Sequence, residues 1–254
     1  MAEKTSKPLS RRVWFSAVFF GLIGQIAWVV ENMYFAAFAQ DIFANSGRAD
    51  LSYGVTTLMV ILSALTATIT TIFAGGLIDR TGKRKPFIAC GYILWGITIM
   101  LFALLPMRAD PSSVMMIAAL LVIFDCLMTV AGSTSNDAAF NAWVADVTDE
   151  TNRGRLNSVL AILPVIAVVI VFIGLGGLYH SDSESNALFF LVLGIIPILA
   201  GILGLFILQD AHGIRKSEGK DYLRETFYGF RKDVIRKNRM IYISLAAACL
   251  IGIA

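Results

Sequence analysis

The stretch "GGLIDRTGKRKPF", residues 75–87, is a short charged island in an otherwise apolar part of the chain. One acid and four bases fall within the seven residues from Asp79 to Lys85. The flanking segments, 51–78 and 87–107, contain no acidic or basic side chain. Uncharged runs of 18 or more residues are typical of transmembrane helices. The island is therefore predicted to be a tight turn between two membrane spans.

Six membrane spans are predicted in the 254 residues, of which 57% are hydrophobic and only 15% charged. A soluble domain usually carries about 25% charged residues. The predicted spans are residues 13–39, 51–78, 87–107, 114–144, 156–179 and 187–209. The first is too long for the apolar region of a signal peptide. The apolar residues 240–254 are shorter than the roughly 20 that a span needs, so we expect them to begin a seventh span of a longer protein.

The positions of the basic residues predict the orientation in the membrane. Of the 21 Lys and Arg residues, all but Arg48 and Arg108 fall in the N-terminus, two alternate connections and the segment after the sixth span. Cytoplasmic loops retain Lys and Arg, so both the N-terminus and the end of the sixth span are predicted to be cytoplasmic.

Residues 210–239 form the one long polar stretch of the sequence. Within it Leu223, Phe227, Phe230 and Val234 repeat at helical spacing, with Lys and Arg on the other faces. This pattern favours an amphipathic helix on the cytoplasmic membrane surface over a flexible linker. The expected regions are a cytoplasmic N-terminus (1–12), a six-span unit (13–209), this connector (210–239) and the start of a seventh span (240–254).

No motif for a metal, a cofactor or an enzyme is recognised in the sequence. Cys90, Cys126 and Cys249 lie in apolar segments without ligand spacing and are expected to be small buried hydrophobic residues. The glycines at 174, 176 and 177 lie in a membrane helix, which excludes a dinucleotide-binding turn. We expect no cofactor, no metal site, no nucleic-acid partner and no enzymatic activity.

The charged island resembles the signature loop of the major facilitator superfamily, G-x-L-x-D-R-x-G-R/K-R/K. The matching residues are Gly75, Leu77, Asp79, Arg80, Gly82, Lys83 and Arg84. The resemblance implies an all-α membrane fold, in which this chain is the six-helix N-terminal half of a twelve-span transporter followed by a connector. It also implies a missing C-terminal six-span half as a partner, beside the lipid bilayer.

In the superfamily this loop latches the two halves together in one state of the alternating-access cycle. The resemblance therefore implies a latch role for Gly75, Asp79, Arg80, Gly82, Lys83 and Arg84. For Lys83, Arg84 and Lys85, a role only in setting orientation is an equal alternative. Asp79 is a stronger latch candidate, because orientation does not require an acid.

Residues 136–157, "NDAAFNAWVADVTDETNRGRLN", resemble the sodium/melibiose symporter-like branch of the superfamily. Asp137 falls at the position of the acid that this branch has in its fourth span. Further acids of the branch's cation site correspond here to Ala67 and Thr71, and its sugar-binding acid to a position near Gln25. Both a sodium site and a galactoside-type site therefore depart from the branch pattern.

Three carboxylates lie within the predicted spans: Glu31, Asp125 and Asp137. Each costs at least ~2.5–3.5 kcal/mol at the centre of a membrane helix, and the spans supply no Lys or Arg to neutralise them. They must be protonated, bind a cation or reach water, so they are candidates for coupling to a proton or to sodium. Glu31 could instead reach the outer interface, and Asp125 could form a protonated interhelical hydrogen bond.

Polar side chains follow single stripes of the first, second and fourth spans. The candidate cavity residues are Gln25, Trp28, Asn32, Ser63, Thr66, Thr70, Ser133 and Asn141. Ordinary polar contacts between helices are the alternative explanation. We expect these spans to line a central face, with the third and sixth at the periphery.

Transport of a small polar solute is the function that this pattern favours. The solute is expected to be a sugar or glycoside, moved together with protons or another cation across the cell membrane. Two alternatives remain: a proton-coupled exporter of drugs or amphipathic compounds from the same superfamily, and a non-transporting membrane scaffold or receptor-like protein.

Overall fold

The computed structural model of the chain describes residues 8–181, 186–211 and 228–253, and the secondary structure of these residues is helical. Six helices are long and apolar enough to cross a membrane. They are α1 (Arg11–Asn45), α2 (Ala49–Thr81), α3 (Lys85–Leu104), α4 (Val114–Val147), α5 (Arg153–Leu178) and α6 (Ala187–Ile207). Two shorter helices follow, α7 (Lys232–Lys237) and α8 (Arg239–Ile253).

The ends of the helices follow from local chemistry. The Ser10 hydroxyl accepts a hydrogen bond from the Val13 amide at 3.3 Å and caps the start of α1. Gly82 ends α2 with a φ of 64°, the left-handed conformation that favours glycine at a helix C-terminus. Pro86 lies in the first turn of α3, where its missing N–H breaks no helical bond. The island is therefore a tight turn between α2 and α3, as its sequence predicts.

Three of the long helices contain a π-helical segment. These segments are Val30–Phe35 in α1, Ser133–Phe140 in α4 and Ile170–Leu175 in α5. A π segment inserts one extra residue into a helical turn and is often found at functional sites. Two of the three candidate coupling acids, Glu31 and Asp137, lie inside such a segment.

Helix α5 is interrupted near its inner end. A turn at residues 161–162 separates Arg153–Leu160 from Leu163–Val169, and Pro164 occupies the first turn of the second piece. Proline has no N–H, so the Leu160 carbonyl loses its helical partner there. Pro197, by contrast, lies inside the continuous helix α6.

Helices α3 and α6 pack closely through glycines on both sides. A Cβ atom added to Gly201 would lie 2.5 Å from the Ala89 carbonyl oxygen, and one added to Gly194 would lie 2.6 Å from the Gly96 carbonyl oxygen. Only a residue without a side chain fits so near a neighbouring backbone. The pair is buried on this shared face, and neither helix lines the two cavities described below.

Aromatic rings from α1, α3 and α6 fill the half of the bundle beyond Glu31 along α1. Phe35 stacks on Phe102 with ring centroids 3.9 Å apart, and Phe38 packs edge-on against Phe190 at 4.7 Å. All four side chains are almost fully buried. This cluster holds α1 against the α3–α6 pair just beyond Glu31.

Polar contacts connect the outer end of α1 to the segment after α5. The Tyr179 hydroxyl donates to Asp41 Oδ2 at 2.7 Å, and the Asn45 amide donates to the Ser181 carbonyl at 3.0 Å. Burial, and then the hydrogen bond to Asp41, raise the pKa of Tyr179 above its usual range. Tyr179 is therefore a neutral hydrogen-bond donor at physiological pH.

The predicted amphipathic connector lies largely outside the described residues. Leu223 and Phe227 of its apolar stripe fall in residues 212–227, and the helix predicted across them stays a prediction. Val234 lies in the short helix α7. Helix α8 occupies the segment expected to begin a seventh span.

Replacement of Gly96 by Ala is expected to destabilise the protein by roughly 1–3 kcal/mol, because the added methyl group would overlap the Gly194 carbonyl. The matched control is Gly174→Ala, since a Cβ there meets open space. Thermal unfolding of both purified variants in the same detergent measures the difference. Equal melting temperatures would show that the α3–α6 contact tolerates a side chain.

Candidate functional site

The larger cavity lies between α1, α2 and α4 and has a volume of about 280 Å³. Its polar lining combines two acids with hydroxyl and amide groups, and its apolar lining includes two aromatic rings. The residues lining it are Trp28, Glu31, Asn32, Phe35, Ala36, Thr56, Met59, Val60, Ser63, Ala64, Ala67, Asp125 and Thr129. Neither Lys nor Arg is among them.

Glu31 and Asp125 face this cavity from α1 and α4. The Thr129 hydroxyl lies 2.8 Å from the Asp125 carbonyl oxygen and 3.3 Å from Glu31 Oε1, so it bridges the two helices. Asp125 is 3% exposed. Glu31 and Asp125 therefore line the same cavity from two helices, and no Lys or Arg lines it with them.

The smaller cavity, of about 200 Å³, lies nearer the N-terminal end of α1 and the C-terminal end of α4 and beside the interruption in α5. The residues lining it are Gly21, Gln25, Trp28, Asn136, Asp137, Phe140, Asn141, Leu160 and Leu163. Asp137 is the one acid in this lining, and three amide side chains accompany it. Asp137 follows Asp125 by 12 residues, about 18 Å of helix, so the two cavities lie at different depths.

Hydrogen bonds hold the amides of the smaller cavity in place. The buried Tyr92 hydroxyl donates to the Phe20 carbonyl at 2.7 Å and lies 3.1 Å from Asn136 Oδ1. The Asn141 amide donates to the Asp137 carbonyl at 3.0 Å. The carboxylate of Asp137 therefore sits among fixed polar groups, as a proton or cation site requires.

Trp28 lines both cavities and forms the wall between them. Its ring packs against Trp95 at a centroid distance of 4.9 Å. Gly132 gives these rings room, since a Cβ there would lie 2.8 Å from Trp95 and 3.0 Å from Trp28. Trp28 therefore lies just before the π segment of α1, which begins at Val30. Gly132 lies just before the π segment of α4, which begins at Ser133.

The structure brings most of the sequence-predicted cavity residues together. Trp28, Asn32 and Ser63 line the larger cavity with Glu31 and Asp125, whereas Gln25, Trp28 and Asn141 line the smaller one with Asp137. Thr66, Thr70 and Ser133 line neither of the two cavities. Ser133 is fully buried in the α4 π segment, and the two threonines are half-buried on α2.

Several lining residues were missed by the sequence reasoning. Phe35, Met59, Val60 and Thr129 carried no signal distinguishing them from ordinary apolar or helix-packing residues. The inner part of α5 contributes Leu160 and Leu163, although that span is nearly featureless in sequence. Asn136 adjoins Asp137 in sequence and could have been included on that ground.

The charged island forms an ion network where α2 ends and α3 begins. The buried Arg84 guanidinium donates from Nη2 to Asp79 Oδ1 at 2.7 Å and from Nε to Asp146 Oδ2 at 2.9 Å. It therefore ties the end of α2 and the start of α3 to the end of α4. These contacts lie within one half of the expected transporter, and a contact with the second half stays a prediction.

Asp210 joins the end of the sixth span to the same network. Its Oδ1 accepts hydrogen bonds from the amides of Arg84 and Lys85, both at 2.7 Å, at the N-terminus of α3. A carboxylate is favoured there by the exposed N–H groups and the helix dipole. The Trp143 indole also donates to the Gln209 carbonyl at 2.8 Å. Sequence reasoning missed Asp146 and Asp210, because their partnership with Arg84 is tertiary.

The other island residues have different environments. Arg80 and Lys83 are exposed, and Gly82 makes the left-handed turn described above. A Cβ on Gly75 would meet open space within the described residues, so Gly75 makes no close helix contact here. Its position on α2 faces away from the helices to which α2 is packed.

Six apolar helices with uncompensated acids in internal cavities define an integral, multi-pass membrane protein of the solute-transporter class. The family model of the Major Facilitator Superfamily matches residues 11–254. The chain belongs to this superfamily, whose members are transporters. No curated protein matches the sequence significantly.

Asp79→Asn is expected to slow transport more than Lys85→Gln does. The first change removes the charge that pairs with buried Arg84, whereas the Lys85 contact with Asp210 uses only its backbone amide. Initial transport rates at matched surface expression measure the difference. Equal rates in the two variants would show that the side chains of the island only determine the orientation of the protein in the membrane.

Proposed function

We propose that the chain forms the N-terminal half of a secondary active transporter for a small polar solute of the sugar or glycoside class. Transport would be coupled to protons or another cation by alternating access. The observation that carries this proposal is the placement of three carboxylates in two cavities that no Lys or Arg lines. This arrangement supports coupling because each acid needs a positive partner that the described residues do not supply.

The proposal depends on the free-energy cost of placing an isolated charge inside a membrane. A carboxylate in a span stays ionised only with a compensating charge or with water, and otherwise takes up a proton. A site that is exposed to one side and then to the other therefore loads and releases a proton or cation during the cycle. Asp137 lies among fixed amides in the smaller cavity and is the proposed coupling site, with Glu31 and Asp125 as the second acidic site.

The resemblance to the sodium/melibiose symporter-like branch supports the assignment of Asp137. At two positions where that branch has cation-site acids, this chain has Ala67 and Thr71, and Ala67 lines the larger cavity. Asp137 is then the single acid lining its cavity. A single fixed negative charge, without the further acids of the branch pattern, favours a proton over sodium at this site.

An exporter of amphipathic compounds is the second candidate. The larger cavity has apolar walls formed by Phe35, Met59 and Val60, which suit an apolar portion of a ligand. The polar groups beside them, Asn32 and Ser63, support the polar-solute proposal instead. Buried acids at two depths are not required by a non-transporting scaffold. A transport assay with the reconstituted protein distinguishes a scaffold from both kinds of transporter.

The proposed setting is the cell membrane, with the N-terminus in the cytoplasm and a second six-span half beside the first. The distribution of bases supports this orientation. Helices α2 and α5 are the least buried of the six. Their exposed faces support the expectation of a second half packed against this one.

Asp137→Asn in the full-length transporter is expected to abolish uphill accumulation while substrate exchange is at least partly retained. Asparagine keeps the size and the hydrogen bonding of the side chain but does not titrate. Solute accumulation and counterflow in proteoliposomes, with an imposed proton gradient, measure the two properties separately.

The matched control is Asp110→Asn, which changes an exposed acid in the connection between α3 and α4. It should leave both accumulation and counterflow near the wild-type values. Accumulation by the Asp137 variant with normal dependence on the ion gradient would show that Asp137 is structural.

A further inference from the structure

We infer that the cavity containing Glu31 and Asp125 binds the protonated amino group of the transported solute. This inference rests on the proposed function and narrows its solute class to amine-bearing polar molecules such as amino sugars. It assigns Glu31 and Asp125 to solute recognition and leaves ion coupling to Asp137. The charge, the hydrogen-bonding capacity and the size of the cavity each support it.

The first support is charge. Two carboxylates face one cavity from α1 and α4, and the cavity lining includes no basic residue. Asp125 is 3% exposed, and no hydrogen-bond donor to its carboxylate is found among the described residues. A cationic ligand would balance this charge directly. A ligand with one ammonium group balances the charge of one carboxylate, and the other carboxyl group is then protonated.

The second support is the hydrogen-bonding capacity of the polar groups in the cavity. The Asn32 amide already donates to the Trp28 carbonyl at 2.7 Å, and the Ser63 hydroxyl donates to the Val60 carbonyl at 3.3 Å. The single hydroxyl proton of Thr129 is donated to the Asp125 carbonyl oxygen or to Glu31 Oε1. The acceptors left to a ligand, chiefly the four carboxylate oxygens of Glu31 and Asp125, outnumber the remaining donors, which include the second N–H of Asn32.

Two further oxygens of the lining are buried and have no hydrogen-bond partner within the described ranges. They are Glu31 Oε2 and Thr56 Oγ1. Such atoms are costly to leave unsatisfied. An ammonium group supplies three donors and can therefore reach both of these oxygens at once, whereas a sugar hydroxyl supplies only one donor.

The third support is the size and shape of the cavity. Its volume of about 280 Å³ is several times the roughly 30 Å³ occupied by one water molecule, so a bare metal ion or proton would leave most of it unfilled. Cavities that hold small organic ligands begin near this size, at about 300 Å³. The space therefore fits an organic solute better than an inorganic cation.

The aromatic walls give the same cavity a surface suited to a cationic molecule. Trp28 and Phe35 line it on the α1 side. The face of an indole ring attracts an ammonium group, and more strongly where water is excluded. Phe35 is held by its stack on Phe102, so this wall is fixed before a ligand arrives.

Equilibrium binding to the purified full-length transporter in lipid nanodiscs tests the inference. The probes are two pairs that differ only by an amine in place of a hydroxyl: glucosamine with glucose, and 2-phenylethylamine with 2-phenylethanol. In at least one pair the amine is expected to bind at least about tenfold more tightly. Asp125→Asn should reduce that preference to about twofold or less, because it removes the charge but keeps the shape.

The control is Asp50→Asn, an exposed acid at the outer end of α2 that lines neither cavity; it should keep the full preference. Thr56→Val is a second test that changes no charge. It should weaken amine binding about threefold through loss of one acceptor, even if Asp125→Asn proves too unstable to measure.

The amine inference is overturned by equal affinities within both pairs, whether weak or strong, or by an amine preference that survives Asp125→Asn. It is also overturned if sodium chloride alone abolishes amine binding where potassium chloride does not, since the cavity would then be a sodium site. Equilibrium binding needs no ion gradient. A failure of Asp137 as the coupling site would therefore appear in accumulation assays and leave this result unchanged.

Discussion

The cost of a carboxylate in an apolar membrane is the constraint on which the polar interior of this protein depends. Glu31, Asp125 and Asp137 line two cavities, and no Lys or Arg lines either cavity with them. Hydroxyl and amide groups gather around them on α1, α2 and α4. The remaining helices are free of this demand, so α3 and α6 pack through glycines and apolar side chains.

A contrasting arrangement is found at the turn between α2 and α3, where acids and bases are both available. The buried guanidinium of Arg84 is shared by Asp79 and Asp146, while Asp210 caps the helix on which Arg84 lies. Each charged group in this network has a partner, and burying a paired charge costs much less than burying an isolated one. The protein thus pairs its charges where it holds helices together and leaves acids unpaired in the cavities.

Much of the fold could be predicted from the sequence, because spans of this length and hydrophobicity have few alternatives in a bilayer. The six spans, the turn at Gly82 and the polar faces of α1, α2 and α4 all follow from local composition and periodicity. The helices extend beyond the apolar runs, as α2 does to Thr81, because backbone hydrogen bonding continues past the membrane boundary.

The grouping of the acids into two cavities could not be predicted in the same way. It depends on how α1 and α4 are rotated against each other, and the π segments at Val30 and Ser133 change that rotation locally. Trp28 has no sequence feature that marks it as a shared wall. The partnership of Arg84 with Asp146 and Asp210 likewise joins residues more than 60 positions apart.

The interruption of α5 before Pro164 has a mechanical consequence for the smaller cavity. Leu160 and Leu163 lie on either side of the turn, and both form part of the cavity wall. A swing of the segment Arg153–Leu160 about this turn would open or narrow the space beside Asp137 without breaking the hydrogen bonds inside either helical piece. The missing N–H of one proline thus places a break in helical hydrogen bonding beside a single carboxylate, and the contacts that oppose such a swing are the Arg153 hydrogen bonds to Ala145 and Thr148.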